Sequence, residues 1–98
     1  MSERIFSPFS LNDLLLSNHM VMATMTRYRA DQNGHVTDRM GTHCQHRASA
    51  GLMNAEPTPV CAAANGYPYT PGIFTHDQAA SWRRLTDAVH VADVHIFV

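Results

Sequence analysis

Residues 20–30 place the strongest constraint on the fold of this chain. The segment begins as a short apolar run and then changes abruptly into hydroxyl-bearing residues and two arginines, Arg27 and Arg29. A run of this length suits a buried strand and is too short for a stable free helix. An apolar strand that turns polar at its carboxyl end is typical of a parallel α/β sheet, where ligands bind beyond the strand ends. The alternative is a core strand followed by a solvated loop.

The composition indicates one globular domain with a lightly charged surface. The chain has 98 residues, of which 45% are hydrophobic and 15% charged, and its net charge is −1. This charge gives no basis for binding nucleic acid or an anionic membrane. All seven basic residues are arginines, and their scatter along the chain favours ordinary surface positions.

Segment-level signals predict a cytoplasmic protein with reduced thiols. No apolar run approaches the roughly 18 residues of a membrane span, and the first residues do not resemble a signal peptide. The two cysteines, Cys44 and Cys61, are too few for a disulfide framework.

Secondary-structure signals alternate between strand and helix. The Asn12-Asp13 turn signal predicts a hairpin with strands near 5–9 and 14–17, with a short helix over 11–16 as the alternative. Thr75 and Gln78 have the spacing of a helical capping box. Hydrophobic spacing and turn residues predict the remaining elements, which are a strand at 20–25, a helix at 38–50 ending at Gly51, a strand at 52–56, a helix at 76–92 and a strand from 95.

This order predicts parallel strands joined by right-handed crossovers. Three parallel strands with two helices leave an open edge and a bare face. The chain also stops within an apolar strand. We therefore expect residues 1–98 to be the first part of a larger domain.

Candidate catalytic and metal-binding residues are weakly supported by spacing alone. His43, Cys44 and His46 lie close together but lack the paired spacing of zinc ligands, so a partly exposed helical face is favoured. Nothing near Cys61 predicts a lowered thiol pKa. Glu56, at the end of the second parallel strand, is a candidate acid or base without a visible partner.

Several segments, taken in order, resemble the amino-terminal part of the old yellow enzyme family. The similarity extends over essentially the whole chain. It is carried by Phe6-Ser-Pro, by the run from Asn18 to Ala30, by Gln45-His-Arg-Ala-Ser-Ala-Gly-Leu52, by Glu56 with Thr58-Pro-Val, by Gly66-Tyr-Pro, by Thr70-Pro-Gly-Ile and by Trp82-Arg-Arg-Leu-Thr-Asp-Ala-Val-His90.

The resemblance implies a TIM (β/α)8 barrel that binds FMN and transfers hydride from NAD(P)H to activated alkenes. It implies that this chain supplies the amino-terminal hairpin, strands one to three and two helices of the barrel, truncated within a single FMN-binding domain. No residue of the chain then corresponds to a catalytic residue or metal ligand, and the chain ends one residue before the family's Gln-x-Trp-His segment.

The site residues implied by the resemblance lie at the carboxyl ends of the strands. Ala23, Thr24, Met25 and Thr26 correspond to the segment under the isoalloxazine ring, where the threonine hydroxyl and backbone N–H approach flavin O4 and N5. Pro57 occupies a position whose backbone N–H normally faces the flavin. A further correspondence is that of Tyr67 to an aromatic residue on the substrate side.

Departures from the family pattern predict an inactive fragment. Thr24 replaces a proline, Pro57 has no N–H to donate, and Val94 replaces a glycine where φ is expected to be positive. Two further departures are His19 in place of an arginine and His43-Cys44 in place of paired tyrosines. We expect weak flavin binding at best. The alternative is a non-catalytic piece that associates with a partner to cover its open barrel edge.

Overall fold

The hairpin forms as predicted and its second strand lies where expected, but its first strand lies further along the chain. The computed structural model describes residues 2–98. Helix α1 spans Ser2–Ile5, and strands β1 (Phe9–Leu11) and β2 (Leu14–Leu16) pair antiparallel. The prediction of a strand near 5–9 and the alternative helix over 11–16 are therefore wrong. Pairing begins after Pro8, which has no N–H to donate, and the two-residue turn at Asn12 fixes the register, with φ +51° at that residue.

Three short parallel strands form the main sheet, which confirms the predicted partial barrel. Strands β3 (Val21–Met22), β4 (Leu52–Asn54) and β5 (His95–Phe97) lie in the order β3-β4-β5. All are shorter than predicted. Among the described residues, β3 pairs with β4 on one side only. After Met22 the extended chain no longer pairs with β4.

Two helices cover one face of this sheet. Helix α2 spans Asp38–Gln45 and then tightens into three-residue turns through residue 50, so the predicted helix over 38–50 is too long. Thr37 lies at its N-cap as predicted, but its hydroxyl donates to the Arg29 carbonyl oxygen at 2.7 Å instead of capping the helix. Between α2 and the next helix, residues 62–64 form one 3₁₀ turn.

Helix α3 spans His76–His90 and contains the predicted capping box. The Thr75 hydroxyl accepts the Gln78 N–H at 3.1 Å, and the Gln78 side chain accepts the Thr75 N–H in return. The helix ends two residues before the predicted residue 92. Apolar residues spaced three or four apart predict one buried stripe along this helix. Trp82, Leu85 and Val89 of that stripe are buried, whereas Ala79 and Ala92 at its two ends are exposed.

The hydrophobic core lies between the two helices and the helix-facing side of the sheet. Met53, on the central strand, is fully buried, and Met40, Trp82, Leu85 and Val89 pack around it. The opposite face of the sheet is poorly covered, because Val21 is 52% exposed and Phe97 is 49% exposed. The structure is therefore an open part of a barrel, whose sheet is packed against helices on one face and largely uncovered on the other.

The positive backbone angle after α3 falls at Asp93 and not at Val94, where the sequence pattern predicted it. Asp93 has φ +59°, whereas Val94 is buried and does not have positive φ. A left-handed residue directly after a helix end is the usual stop signal, and it favours glycine. The expected position was one residue too late, because α3 ends at His90 and the turn formed by Val91, Ala92 and Asp93 reverses the chain at Asp93.

We expect Asp93→Gly to raise the free energy of unfolding by about 0.5–1 kcal/mol, because glycine adopts positive φ without the strain imposed by a Cβ atom. The measurement is urea denaturation followed by circular dichroism. Asp87→Gly, within α3, is the matched control and should lower stability. Equal losses in the two variants would show that residue 93 carries no strain.

Candidate functional site

The carboxyl edge of the sheet presents the segment predicted to lie under a flavin. After β3 the chain runs through Ala23, Thr24, Met25 and Thr26 without regular pairing. Ala23 and Met25 line a cavity on the helix side, whereas Thr24 and Thr26 do not. Within residues 2–98, the backbone N–H groups of Thr24 and Thr26 donate no hydrogen bond. Unpaired donors at a strand end suit a polar ligand, so this segment fits the flavin edge that the resemblance implies.

Pro57 does not fit the flavin role implied for its position. It follows β4 at the same edge of the sheet and is exposed. Its ring nitrogen carries no hydrogen, so the backbone hydrogen bond expected at this position cannot form.

Tyr67 lies in the long loop before α3, which packs back toward the end of β3. Its ring meets the Tyr28 ring edge-to-face, with 6.3 Å between centroids. Ala30 N–H also donates to the Tyr69 carbonyl oxygen at 3.2 Å. These contacts bring the predicted substrate-side tyrosine near the segment that carries Thr26, although Tyr67 itself is 64% exposed.

A cavity of about 520 Å³ opens between the ends of β3 and β4 and the two helices. We call it the arginine cavity, because it is lined by Arg27, Arg29, Arg39 and Arg47. Arg29, Arg39 and Arg47 are exposed, as predicted for surface arginines, and Arg27 is half-buried, but the four are not scattered because they line one cavity. The sequence could have grouped two of the four, because Arg39, His43 and Arg47 are spaced four residues apart and residues at that spacing share one face of a helix.

Two of these arginines contact His43. Arg27 Nη1 donates to His43 Nε2 at 3.1 Å, and Arg47 Nη1 donates to the His43 carbonyl oxygen at 3.0 Å. Burial lowers the pKa of His43, and the positive charges of Arg27 and Arg47 lower it further. An imidazole with a lowered pKa accepts a hydrogen bond from a guanidinium without repelling it.

Glu56 is the carboxyl group of this cavity, and it lacks a complete set of partners. Its Oε2 atom is buried and accepts no hydrogen bond from the described residues. Burial raises the pKa of Glu56, and the charge of Arg27 offsets only part of that effect. The sequence identified Glu56 as a candidate acid or base, and the structure adds the buried, unpaired oxygen that makes protonation easier.

We expect Glu56→Gln to reduce the loss of stability that occurs as pH rises above the ordinary pKa of a glutamate. Because the folded pKa is raised, the contribution of Glu56 is fully present below its ordinary pKa and is lost as pH rises through the folded value. The wild-type chain should therefore lose more stability than the variant between pH 5 and pH 8, as measured by urea denaturation. Asp87→Asn, at an exposed position, is the control and should follow the wild-type profile. A wild-type profile in Glu56→Gln would contradict the assignment.

The three candidate metal ligands on α2 do not form a site. Cys44 is buried while His46 is exposed, so they lie on different sides of the helix. Burial raises the pKa of the Cys44 thiol, which disfavours the thiolate that binds metal. In the part of the chain that the structure describes, no three His, Cys, Asp or Glu residues are grouped to hold a metal ion.

No described helix is both long and apolar enough to cross a membrane.

Comparison with known proteins gives consistent matches along the chain. Residues 4–98 match the sequence profile of the NADH:flavin oxidoreductase / NADH oxidase family. The chain is 37% identical over 100 residues to an NADP-dependent oxidoreductase of Aspergillus flavus, covering 100% of this chain and 26% of that protein. It is 38% identical over 97 residues to chanoclavine-I aldehyde reductase of Penicillium roqueforti, covering 97% of this chain and 26% of that protein.

The fold matches solved structures as well. The old yellow enzyme homologue from Zymomonas mobilis superposes with a TM-score of 0.90 and 36% identity, covering 95% of this chain and 26% of that one. The chain thus spans about a quarter of the length of the relatives it matches.

Proposed function

Because this chain belongs to the NADH:flavin oxidoreductase / NADH oxidase family, we propose that it forms the first flavin-facing edge of an FMN-dependent ene-reductase barrel. When bound, FMN supplies hydride transfer from NAD(P)H to an activated alkene. The chain's own part is to position the flavin ring through Ala23, Thr24, Met25 and Thr26 and to line the substrate side with Tyr67.

The observation that supports this proposal most directly is the position of the unpaired Thr24 and Thr26 donors. They follow a parallel strand at the carboxyl edge of the sheet. Active sites of (β/α)8 barrels lie at that end, built from the segments after the strands.

We further propose that these 98 residues alone bind FMN weakly and have no appreciable ene-reductase activity. The sheet has three of the eight strands that a closed barrel requires. Among the described residues, β3 and β5 each pair on one side only, so nothing encloses the flavin edge. Pro57 removes one further contact.

Absorbance spectroscopy of the purified chain tests this proposal. We expect no flavin band after purification and only weak, saturable quenching of FMN fluorescence on titration. A stoichiometric yellow band would contradict the proposed weakness. No interaction with FMN at any concentration would contradict the flavin-edge assignment.

Pro57→Ala should tighten FMN binding, because it restores a backbone N–H at the carboxyl edge of β4. One hydrogen bond contributes about 0.5–1.5 kcal/mol, which corresponds to roughly a two- to tenfold change in Kd. Fluorescence titration with FMN measures it. Pro59→Ala, two residues further along the loop, should leave the Kd unchanged. Equal effects of the two variants would show that loop flexibility and not the restored donor is responsible.

A second candidate function is association with a partner that completes the barrel. The bare sheet face at Val21 and Phe97 and the two unpaired strand edges favour it. Mixing this chain with a segment that carries the remaining strands of a family barrel should yield one complex in size-exclusion chromatography, with flavin absorbance that neither piece shows alone. Separate elution of the two pieces would contradict complementation.

A further inference from the structure

The arginine cavity has an excess of positive charge that its one carboxyl group, Glu56, offsets only in part. Two arginines come from the segment after β3 and two from α2. Ion pairs among the described residues join His35 to Asp31 and Arg84 to Asp38, and neither involves the cavity. Four guanidinium groups therefore line one cavity in a chain whose net charge is −1.

Most of the hydrogen-bond donors in the cavity are not used by the protein. A guanidinium carries five N–H donors. Arg27 and Arg47 each donate one side-chain hydrogen bond to His43, and Arg29 Nη1 contacts the carbonyl oxygens of Arg27 and Tyr28 at 3.4 and 3.5 Å. Glu56 lines the same cavity, yet its Oε2 atom accepts none of these donors. The cavity thus offers more charged donors than its own groups accept.

Apart from His43, Asn54 and Glu56, the rest of the wall is apolar. Met22, Met40, Trp82 and Leu85 line the cavity beside the arginines. Its volume of about 520 Å³ falls within the range of roughly 300–1,000 Å³ usual for small-molecule sites. A ligand with a charged end and an apolar body would therefore match the two kinds of wall.

We propose that the arginine cavity binds a small organic carboxylate or phosphate, with its anionic group against the arginines and its apolar body against Met40, Trp82 and Leu85. Arginine forks match both anions through paired hydrogen bonds. This site goes beyond the proposed flavin edge and adjoins it: Ala23 and Met25 line the cavity, whereas Thr24, Thr26, Pro57 and Tyr67 do not.

Trp82 provides a direct readout, because it is the single tryptophan of the chain and lines the cavity. The experiment titrates the 98-residue chain with phenyl phosphate, benzoate and neutral benzyl alcohol while recording Trp82 fluorescence at low ionic strength. We expect saturable changes with one or both anions, weakened by added sodium chloride, and no change with benzyl alcohol at the same concentrations. Tighter binding of phenyl phosphate or of benzoate identifies which anionic group the site prefers.

Arg39→Gln and Arg47→Gln should each weaken binding of the anion about tenfold, the effect of losing one charge-assisted hydrogen bond. Arg83→Gln, exposed on α3 and outside the cavity, is the matched control and should bind like the wild type. Equal responses to benzyl alcohol and to the anions, or equal affinities in the cavity and control variants, would overturn the proposal.

A second measurement follows cysteine alkylation and leaves all four cavity arginines unchanged. Cys44 lines the cavity and Cys61 is exposed elsewhere, so alkylation of Cys44 in a Cys61→Ser chain should slow at saturating phenyl phosphate. Unchanged alkylation would contradict occupation of the cavity. FMN absorbance is measured separately, so failure of anion binding is distinguishable from failure of the flavin proposal.

Discussion

Replacing Gly51 with alanine is expected to lower the free energy of unfolding by about 3 kcal/mol, the upper end of the usual effect of overpacking. A Cβ atom built at Gly51 would collide with the Asn18 carbonyl oxygen and lie 3.0 Å from Asn18 Oδ1. The neighbouring backbone cannot move freely, because Gly51 N–H donates to the Met20 carbonyl oxygen at 2.8 Å. The Asn18 side chain also donates to the Ser49 carbonyl oxygen at 2.8 Å.

Gly66→Ala is the matched control, because a Cβ atom there would meet no heavy atom within 4 Å. The control should change stability by less than about 0.5 kcal/mol. Urea denaturation followed by circular dichroism compares the two variants. Similar stabilities would show that the Asn18 loop moves aside without penalty, and that the close contact does not fix the hairpin against β4.

Replacing Trp82 with alanine is expected to lower the free energy of unfolding by about 4 kcal/mol, a value usual for removing a buried tryptophan. The side chain is 3% exposed and lies in the core between the two helices. Its Nε1 donates to the Gly72 carbonyl oxygen at 3.0 Å, which ties the long loop to α3. Domains of this size are stable by roughly 5–15 kcal/mol, so the loss is a large part of the total.

Trp82→Phe separates packing from the hydrogen bond. It keeps most of the ring but leaves the Gly72 carbonyl oxygen without its donor, which costs about 1–3 kcal/mol. We therefore expect a smaller loss than for alanine. Denaturation monitored by circular dichroism measures both variants. Equal losses would assign the whole effect to the hydrogen bond, and no loss in Trp82→Phe would assign it to packing.

Features determined by local interactions were predictable from the sequence. The capping box at Thr75 and Gln78, the buried stripe of α3 and the turn at Asn12 each depend on residues a few positions apart. The alternation of strand and helix was sufficient to predict a parallel sheet, because parallel strands need a crossover between them.

The limits of the elements depended on their neighbours. Strand β3 was predicted over 20–25 but pairs only at Val21–Met22, since it has a partner on one side among the described residues. The positive φ was expected at Val94 but falls at Asp93, because the length of the turn after α3 decides which residue reverses the chain. The sequence therefore locates the residue with positive φ to within one position only.

What the sequence determined by itself was the hairpin, the three parallel strands with their two longer helices, and the strand end that carries Thr24 and Thr26; helix α1 and the 3₁₀ turn at residues 62–64 were not predicted. What only the tertiary structure decided was which distant residues meet: Gly51 against Asn18, and Arg27 against His43 in the cavity that Glu56 also lines. The physical reason is the range of the interactions. Helix caps and turns are completed within four residues, whereas burial, close backbone approach and convergence of charge depend on segments that come together only when the sheet and helices pack.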